Sequence, residues 1–219
     1  MTLRWIVLWW LGILGAAHAA DMTVLRYVDQ DPGGAPYQTR ILVTPHFMRM
    51  DTGEDDGDFF LLDRRHKKVF NIMHERALAM VFVPGALPPR PADWRPRLDV
   101  QPAAPGTRRF RLSMNGVVCS EGIAARSAAP DAARAMAEMK SILASMQYRV
   151  WKESPQALQH DCDLANLVWE SGTTLKLGLP LEEREFTGRS RLFESETRQP
   201  LRPGLFRLPA GVAEINAPS

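Results

Sequence analysis

Residues 37–83, YQTRILVTPHFMRMDTGEDDGDFFLLDRRHKKVFNIMHERALAMVFV, decide the fold of this 219-residue chain. The stretch divides into β-branched or aromatic segments of strand length, at 38–44, 47–51, 58–63, 68–74 and 78–83. Turn residues separate the segments, and each turn is short enough for neighbouring strands to pair antiparallel. The stretch therefore predicts a β-meander.

Two of these segments, 59–62 and 78–83, are apolar at every position. A sheet with one wet face alternates polar and apolar residues, so this pattern predicts that both faces are covered. One interpretation is a helix on one face and a filled barrel interior on the other. The other interpretation is a partly open barrel whose concave face is an apolar binding cavity.

The first nineteen residues have the features of a secretory signal peptide. Arg4 provides a basic start, residues 5–14 are apolar, and Ala17-His18-Ala19 is a small-residue cleavage pattern. The apolar run is shorter than the ~20 residues of a membrane-spanning helix. We expect residues 20–219 to form a single domain in the periplasm, with no membrane span after cleavage.

The charge balance of the chain argues against a nucleic-acid partner. It carries 27 Lys and Arg and 25 Asp and Glu, a formal net charge of +2, which becomes +1 once Arg4 is removed. Near-neutral proteins lack the electrostatic attraction that drives binding to phosphate backbones. The arginines between residues 90 and 126 are also not interleaved with aromatic residues, as they are in single-strand binders.

Cys119 and Cys162 are the two cysteines of the chain. In an exported protein they most simply form one disulfide. A loop of this length gives roughly 4 kcal/mol of stabilisation in the chain-entropy model. The spacing fits neither a CxxC redox centre nor a zinc knuckle.

Between residues 84 and 106 prolines are too frequent for a regular helix or a central strand. We predict a long surface loop, anchored by Trp94. Loops of this length are either functional or loosely ordered. It therefore forms either a rim over a cavity or a plain connection.

A helical insert is predicted at 128–170. A helix begins at Pro130 and carries Met136, Met139, Leu143, Met146 and Val150 along one face. A second helix is predicted from Ser154-Pro155, with Leu158, Cys162, Ala165 and Trp169 on one face. The disulfide would clamp this helix to Cys119, which follows the Asn115-Gly116 hairpin turn.

Strand patterns return at 175–177, 181–187, 189–196 and 205–208. This order of strands, a helical insert and further strands predicts an α+β fold. In this fold a curved antiparallel sheet forms an incomplete barrel, and the two-helix, disulfide-clamped insert covers it.

Motifs for catalysis or for cofactor binding are not recognisable in the sequence, which contains no GxSxG, HExxH, P-loop or dinucleotide fingerprint. The acidic run 51–58 does not match a calcium loop and predicts a solvated hairpin tip. His160 and Cys162 are too close in sequence to face each other on a helix. We expect no enzyme activity, no metal and no cofactor.

Four segments resemble the LolA/LolB-like superfamily of periplasmic half-barrel proteins, and its uncharacterised exported members most closely. They are RILVTPHFMRMD, FFLLDRRHKKVFNIMHE, VWESGTTLKLGLPLEEREFTGRSRLFES and GLFRLPAGV. The resemblance implies an incomplete antiparallel barrel with a helical lid and a cavity for acyl chains. The residues expected to line that cavity are Phe60, Leu62, Phe70, Ile72, Met80 and Phe82.

The expected function is therefore a non-catalytic periplasmic carrier of a lipid-like or other apolar group, with a lipid or lipoprotein acyl chain as partner. A concave apolar surface stabilises such a ligand by about 25 cal/mol per Å² buried. The alternative is an envelope protein with a filled barrel that binds another protein through its proline-rich loop or an exposed sheet edge.

Overall fold

The computed structural model describes residues 21–217, and within them the chain forms one open, curved sheet of twelve strands with helices on one face. The strands are β1 Asp21–Gln30, β2 Tyr37–Val43, β3 Phe47–Asp51, β4 Phe59–Asp63, β5 Lys68–Met73, β6 Leu78–Phe82, β7 Pro96–Pro102, β8 Thr107–Met114, β9 Val117–Ala125, β10 Leu179–Glu185, β11 Ser190–Pro200 and β12 Ala213–Asn216. The helices are α1 Pro130–Glu153 and α2 Asp161–Leu164, followed by a π-helical turn at Ala165–Trp169. The predicted signal peptide lies outside the described residues.

The strands follow the order β12-β6-β5-β4-β3-β2-β1-β11-β10-β9-β8-β7. Neighbours are antiparallel except β12, which runs parallel to β6. β7 and β12 are the two free ends of the sheet, so it does not close into a barrel. The predicted α+β fold with an incomplete barrel is confirmed, with one parallel pair that the sequence did not predict.

The meander predicted over residues 37–83 is confirmed as β2 to β6, with ends shifted by at most one residue. The predicted hairpin between β8 and β9 is also confirmed. Asn115 and Gly116 both adopt positive φ, at 51° and 84°. Two such residues form the type I′ turn, whose twist matches that of the paired strands.

The insert begins at Pro130 as predicted, but its second helix begins later than predicted. α1 ends before Ser154, which precedes Pro155 and has an extended ψ of 152°. The residue before a proline avoids the helical region of backbone conformation. Leu158, predicted on a buried face, lies in a 3-10 turn and is 63% exposed. Val150 is also exposed, whereas Met136 and Met139 are buried as predicted.

The disulfide between Cys119 and Cys162 is formed, with a Cα–Cα distance of 4.8 Å. Both residues are buried, and they join β9 to α2. The predicted clamp between the sheet and the second helix is therefore confirmed. Disulfides persist in oxidising compartments.

The prediction that residues 84–106 form a surface loop is wrong over Pro96–Pro102, which is the strand β7. β7 is an edge strand and its prolines stand at its two ends, where a missing N–H costs least. Trp94 does anchor the segment, since it is buried and its ring lies 4.6 Å from that of Trp169.

The C-terminal region differs most from the prediction. Residues 175–177 and 205–208, predicted as strands, contribute instead to 3-10 helices at Thr174–Leu177 and Pro203–Phe206. β12 was not predicted. The segment 201–212, which we call the strap, crosses the outer face of the sheet before β12 pairs with β6.

Candidate functional site

The six residues predicted to line an apolar cavity do not share one face of the sheet. The register pairs Leu62 with Val69 and Val69 with Phe82, so these three side chains point to the same side. Ile72 pairs with Phe59 and Ala79 on the opposite side. Phe60, Leu62, Met80 and Phe82 pack on the side of α1, and Phe70 and Ile72 pack on the outer side.

The side facing α1 is filled by the helix itself. Ala132, Ala135, Met136, Met139 and Ile142 of α1 belong to the same buried cluster as Leu62 and Phe82. The methionine face is thus ordinary helix-to-sheet packing. Of the two interpretations of the apolar runs, the one with a helix covering one face describes this side.

The outer side of the same strands is covered by the strap. Leu205 and Phe206 are 6% and 5% exposed and pack in a cluster with Phe59, Leu61 and Ile72. The Phe206 ring also stacks on Phe47, with centroids 6.1 Å apart. Both faces are therefore covered by the chain, and this accounts for strands that are apolar throughout.

A buried ion-pair network fixes the strap to the acidic hairpin between β3 and β4. Arg49, 2% exposed, donates to the carbonyl oxygens of Leu205 at 3.1 Å and Asp55 at 2.8 Å, and to the Asp51 carboxylate. Its guanidinium lies 3.8 Å from the Phe59 ring centroid. The hairpin was predicted as a solvated tip, but the Asp51 side chain is fully buried and needs these partners.

Arg40 and Arg202 complete this network. Arg40 donates two hydrogen bonds of 2.8 Å to Asp51 and one of 2.9 Å to Asp55. Arg202 of the strap donates to Asp55 at 2.6 Å. Hydrogen bonds from Arg202 and then from Arg40 lower the pKa of Asp55. The hairpin is thus a structural anchor for the strap.

A second polar cluster lies at the centre of the sheet, on the α1 side. Asp29, 1% exposed, accepts two hydrogen bonds of 2.7 Å from Arg191 and one from Thr39. Arg191 in turn lies over the Tyr27 ring. The Tyr27 hydroxyl is buried and has no hydrogen-bond partner within residues 21–217, and burial raises its pKa. These contacts join β1, β2 and β11.

A concave surface with a volume of about 800 Å³ lies on the outer face of β7 to β11. We call it the charged groove and define it by the lining side chains Arg97, Asp99, Gln101, Arg109, Arg111, Glu121, Ile123, Glu182, Arg184, Ser190 and Leu192. Five strands span about 19 Å at the usual spacing. None of the segments described in residues 21–217 packs over this face as the strap packs over β4 and β5.

The strand register arranges these side chains in rows across the strands. One row runs Asp99, Arg111, Glu121, Arg184 and alternates in charge. Arg111 donates to Glu121 at 3.0 Å, and Arg97 donates to its neighbour Asp99 at 2.9 Å. Opposite charges on facing strands stabilise a sheet.

The next row runs Gln101, Arg109, Ile123, Glu182, Leu192. Here Ile123 separates Arg109 from Glu182. Neither Arg109 nor Glu182 has an ion-pair partner in the part of the chain that the structure describes. Leu192, 52% exposed, adds an apolar contact at the end of the row.

This groove was not predicted from the sequence, although several of its arginines are among those between residues 90 and 126. The available pattern was the alternation of charged residues in RLDVQ, TRRFRLS and EERE. Alternation identifies a solvated strand face, but only the register brings Arg97, Arg109 and Arg184 together.

The described residues give little support for a metal site or for a membrane-spanning helix. Within 21–217, no group of three His, Cys, Asp or Glu side chains is placed to hold a metal ion. His160 packs edge-on against Phe186 and lies beside a smaller depression of about 290 Å³. Among the described helices, none has the length and apolar character needed to cross a membrane.

The solved structures that are similar to this chain are larger, and the similarity covers only part of each. No family model and no curated protein matches the chain. Two solved structures of PNGF-II, in space groups P21 and C2, are similar with TM-scores of 0.37 and 0.34 and identities of 11% and 10%. The match covers 90% of this chain and 32% and 31% of theirs, so this chain spans about a third of their length. At these TM-scores we draw no conclusion from the similarity.

Proposed function

We propose that this protein is a non-catalytic binding protein of the periplasm, and that its charged groove binds a segment of a partner protein. The observation that carries the proposal is the contrast between the two halves of the sheet. Around β4 to β6, α1 and the strap cover both faces. Around β7 to β11, the outer face is concave and lined by charges that reach solvent.

The proposed location of the protein rests on three features. The disulfide between Cys119 and Cys162 fits an oxidising compartment, and the predicted signal peptide directs export. The resemblance of the sequence to the LolA/LolB-like superfamily supports the same compartment. We propose the periplasm on these grounds.

The chemistry of the groove supports a protein partner over an apolar ligand. Charged side chains from four strands, β7 to β10, dominate its lining, and a bare acyl chain would leave them desolvated and unpaired. A polypeptide supplies both charges and hydrogen-bonding groups. Complementary charges would also steer the encounter.

The test is photo-crosslinking in the periplasm of the native host. A photoreactive residue at Gln101, at the edge of the groove, is compared with one at Lys152, at the exposed end of α1. We expect a discrete crosslinked species from Gln101 and none from Lys152. Equal crosslinking at the two positions, or none at Gln101, contradicts the proposal.

The carrier function remains a second candidate, favoured by the strap. The apolar outer surface of β4 and β5 is covered by a segment whose regular structure is one 3-10 turn, Pro203–Phe206. If the strap moved aside, Phe70 and Ile72 would face an apolar ligand. Phe60, Leu62, Met80 and Phe82 would do so only if α1 moved.

The carrier function is tested by purifying the protein from the periplasm without detergent and analysing its organic extract by mass spectrometry. Another periplasmic protein prepared in parallel is the control. A stoichiometric acyl-chain species would support the carrier function. An empty protein that also fails to take up a hydrophobic fluorescent probe would contradict it.

A further inference from the structure

We infer that the charged groove selects a partner segment in the polyproline II conformation with one acidic and one basic side chain three residues apart. This inference rests on the proposed function and names the chemistry of the partner. It is based on the middle of the second row, Arg109, Ile123 and Glu182. Arg109 and Glu182 carry opposite charges, and neither has an ion-pair partner in the described chain.

The spacing of the row sets the distance between the two charges. Arg109 lies on β8 and Glu182 on β10, with Ile123 of β9 directly between them. Two strand spacings amount to about 9.6 Å. Because the apolar Ile123 side chain separates them, Arg109 and Glu182 do not neutralise each other as Arg111 and Glu121 do.

Because the row carries one positive and one negative side chain, it favours a ligand that carries one negative and one positive charge. Arg109 and Glu182 are exposed, and neither is engaged by another side chain of the described chain. A ligand with two acidic groups would place one of them over Glu182, and one with two basic groups would place one over Arg109. Like charges would repel each other in either case. The row therefore selects against ligands with two like charges by repulsion, and for a ligand with one charge of each sign by attraction.

Polyproline II geometry matches the row. The helix has three residues per turn and rises 3.1 Å per residue, so side chains at i and i+3 share a face about 9.3 Å apart. An extended β-strand places i and i+3 on opposite faces. A segment of six residues is about 19 Å long, the span of the five strands.

The apolar members of the row suit such a segment. Ile123 is half-buried between the two charges, and Leu192 is 52% exposed beyond Glu182. Proline rings between the charged residues of the ligand would pack on them, as proline-rich ligands pack on apolar grooves. A preformed helix also loses little entropy on binding.

The test uses the synthetic peptide PPEPPKPP and isotope-labelled protein beginning at residue 20, followed by NMR. We expect saturable shifts at the backbone amides of Arg109, Ile123 and Glu182, with Kd near the millimolar range. The same-charge peptides PPEPPEPP and PPKPPKPP, and PPEPKPPP with the charges two residues apart, are expected to bind at least about fivefold more weakly.

Charge reversal in the protein provides the matched variants. Arg109→Glu is expected to weaken PPEPPKPP at least about tenfold and to strengthen PPKPPKPP. The double variant Arg109→Glu/Glu182→Arg is expected to bind PPEPPKPP again, since the peptide can lie in the opposite direction. Arg134→Glu, on the exposed side of α1, should change nothing.

Equal affinity for all four peptides, or no saturable shift, overturns the inference. If the Gln101 crosslink forms in cells while no peptide binds, the inference fails and the proposed function stands. If the crosslink fails as well, both are wrong.

Discussion

Arg49 donates a hydrogen bond of 3.1 Å to the carbonyl oxygen of Leu205, 156 positions further along the chain. The contact joins the meander to the strap, and Arg49 makes it from a position that is 2% exposed. This buried hydrogen bond therefore holds the strap against the apolar outer face of the sheet.

Replacing Arg49 with Met should lower the free energy of unfolding by about 3 kcal/mol. The change leaves the buried Asp51 with one ion-pair partner, Arg40, and the Gly53 N–H, and it removes the donor to the strap. Denaturant titration measures the loss. Arg65→Met, at an exposed position, is the control and should stay within about 0.5 kcal/mol of the parent. A loss below about 1 kcal/mol for Arg49→Met would show that the network is not an anchor.

Removing the disulfide should destabilise the protein without changing the groove. The chain-entropy model gives an upper value of roughly 4 kcal/mol for Cys119→Ala with Cys162→Ala. Hydrogen exchange should accelerate first in α2, which the disulfide ties to β9. Unchanged exchange in α2 together with unchanged stability would contradict this prediction.

Tyr27→Phe should stabilise the protein, by about 1 kcal/mol. The Tyr27 hydroxyl is buried, has no hydrogen-bond partner among the described residues and loses its hydration on folding. Thermal unfolding of the variant should therefore shift upward. Tyr37→Phe, which removes an exposed hydrogen bond to Asp31, is the control and should have little effect. A large loss of stability in Tyr27→Phe would mean that the hydroxyl is hydrogen-bonded in solution.

Acid should destabilise the fold through Asp29. Burial raises the pKa of Asp29, but the hydrogen bonds and charge of Arg191 outweigh it, so the pKa is lowered overall. A carboxyl with a lowered pKa binds fewer protons when folded, so its stabilisation is present above about pH 4 and is lost as pH falls through the folded pKa. Stability measured against pH should therefore decline below about pH 4, and Asp29→Asn should flatten that decline. An equal slope in the variant would contradict this assignment.

Local patterns predicted those parts of the fold that local chemistry controls. The β-meander followed from short turns, the start of α1 from Pro130, and the β8–β9 hairpin from Asn115-Gly116. The disulfide followed from there being two cysteines in a chain with export features. Each depends on neighbouring residues or on a single possible pair.

Features that depend on distant pairing could not be predicted. β1 pairs with β11 across about 170 positions, and the strap, with its 3-10 turn at Pro203–Phe206, is held against the sheet by hydrogen bonds of Arg49 and Arg202 to distant residues. Strands that are apolar on both faces also conceal which residues share a side, so the six cavity candidates were divided between two faces. The groove needs the register of five strands.

The most direct test of the groove as a binding surface is the crosslink yield at Gln101 with and without charge reversal. We predict that Arg109→Glu with Arg184→Glu reduces the yield at Gln101 to the level seen at Lys152, while Arg65→Glu with Arg134→Glu leaves it unchanged. An undiminished yield in the groove variant would contradict the assignment of this surface.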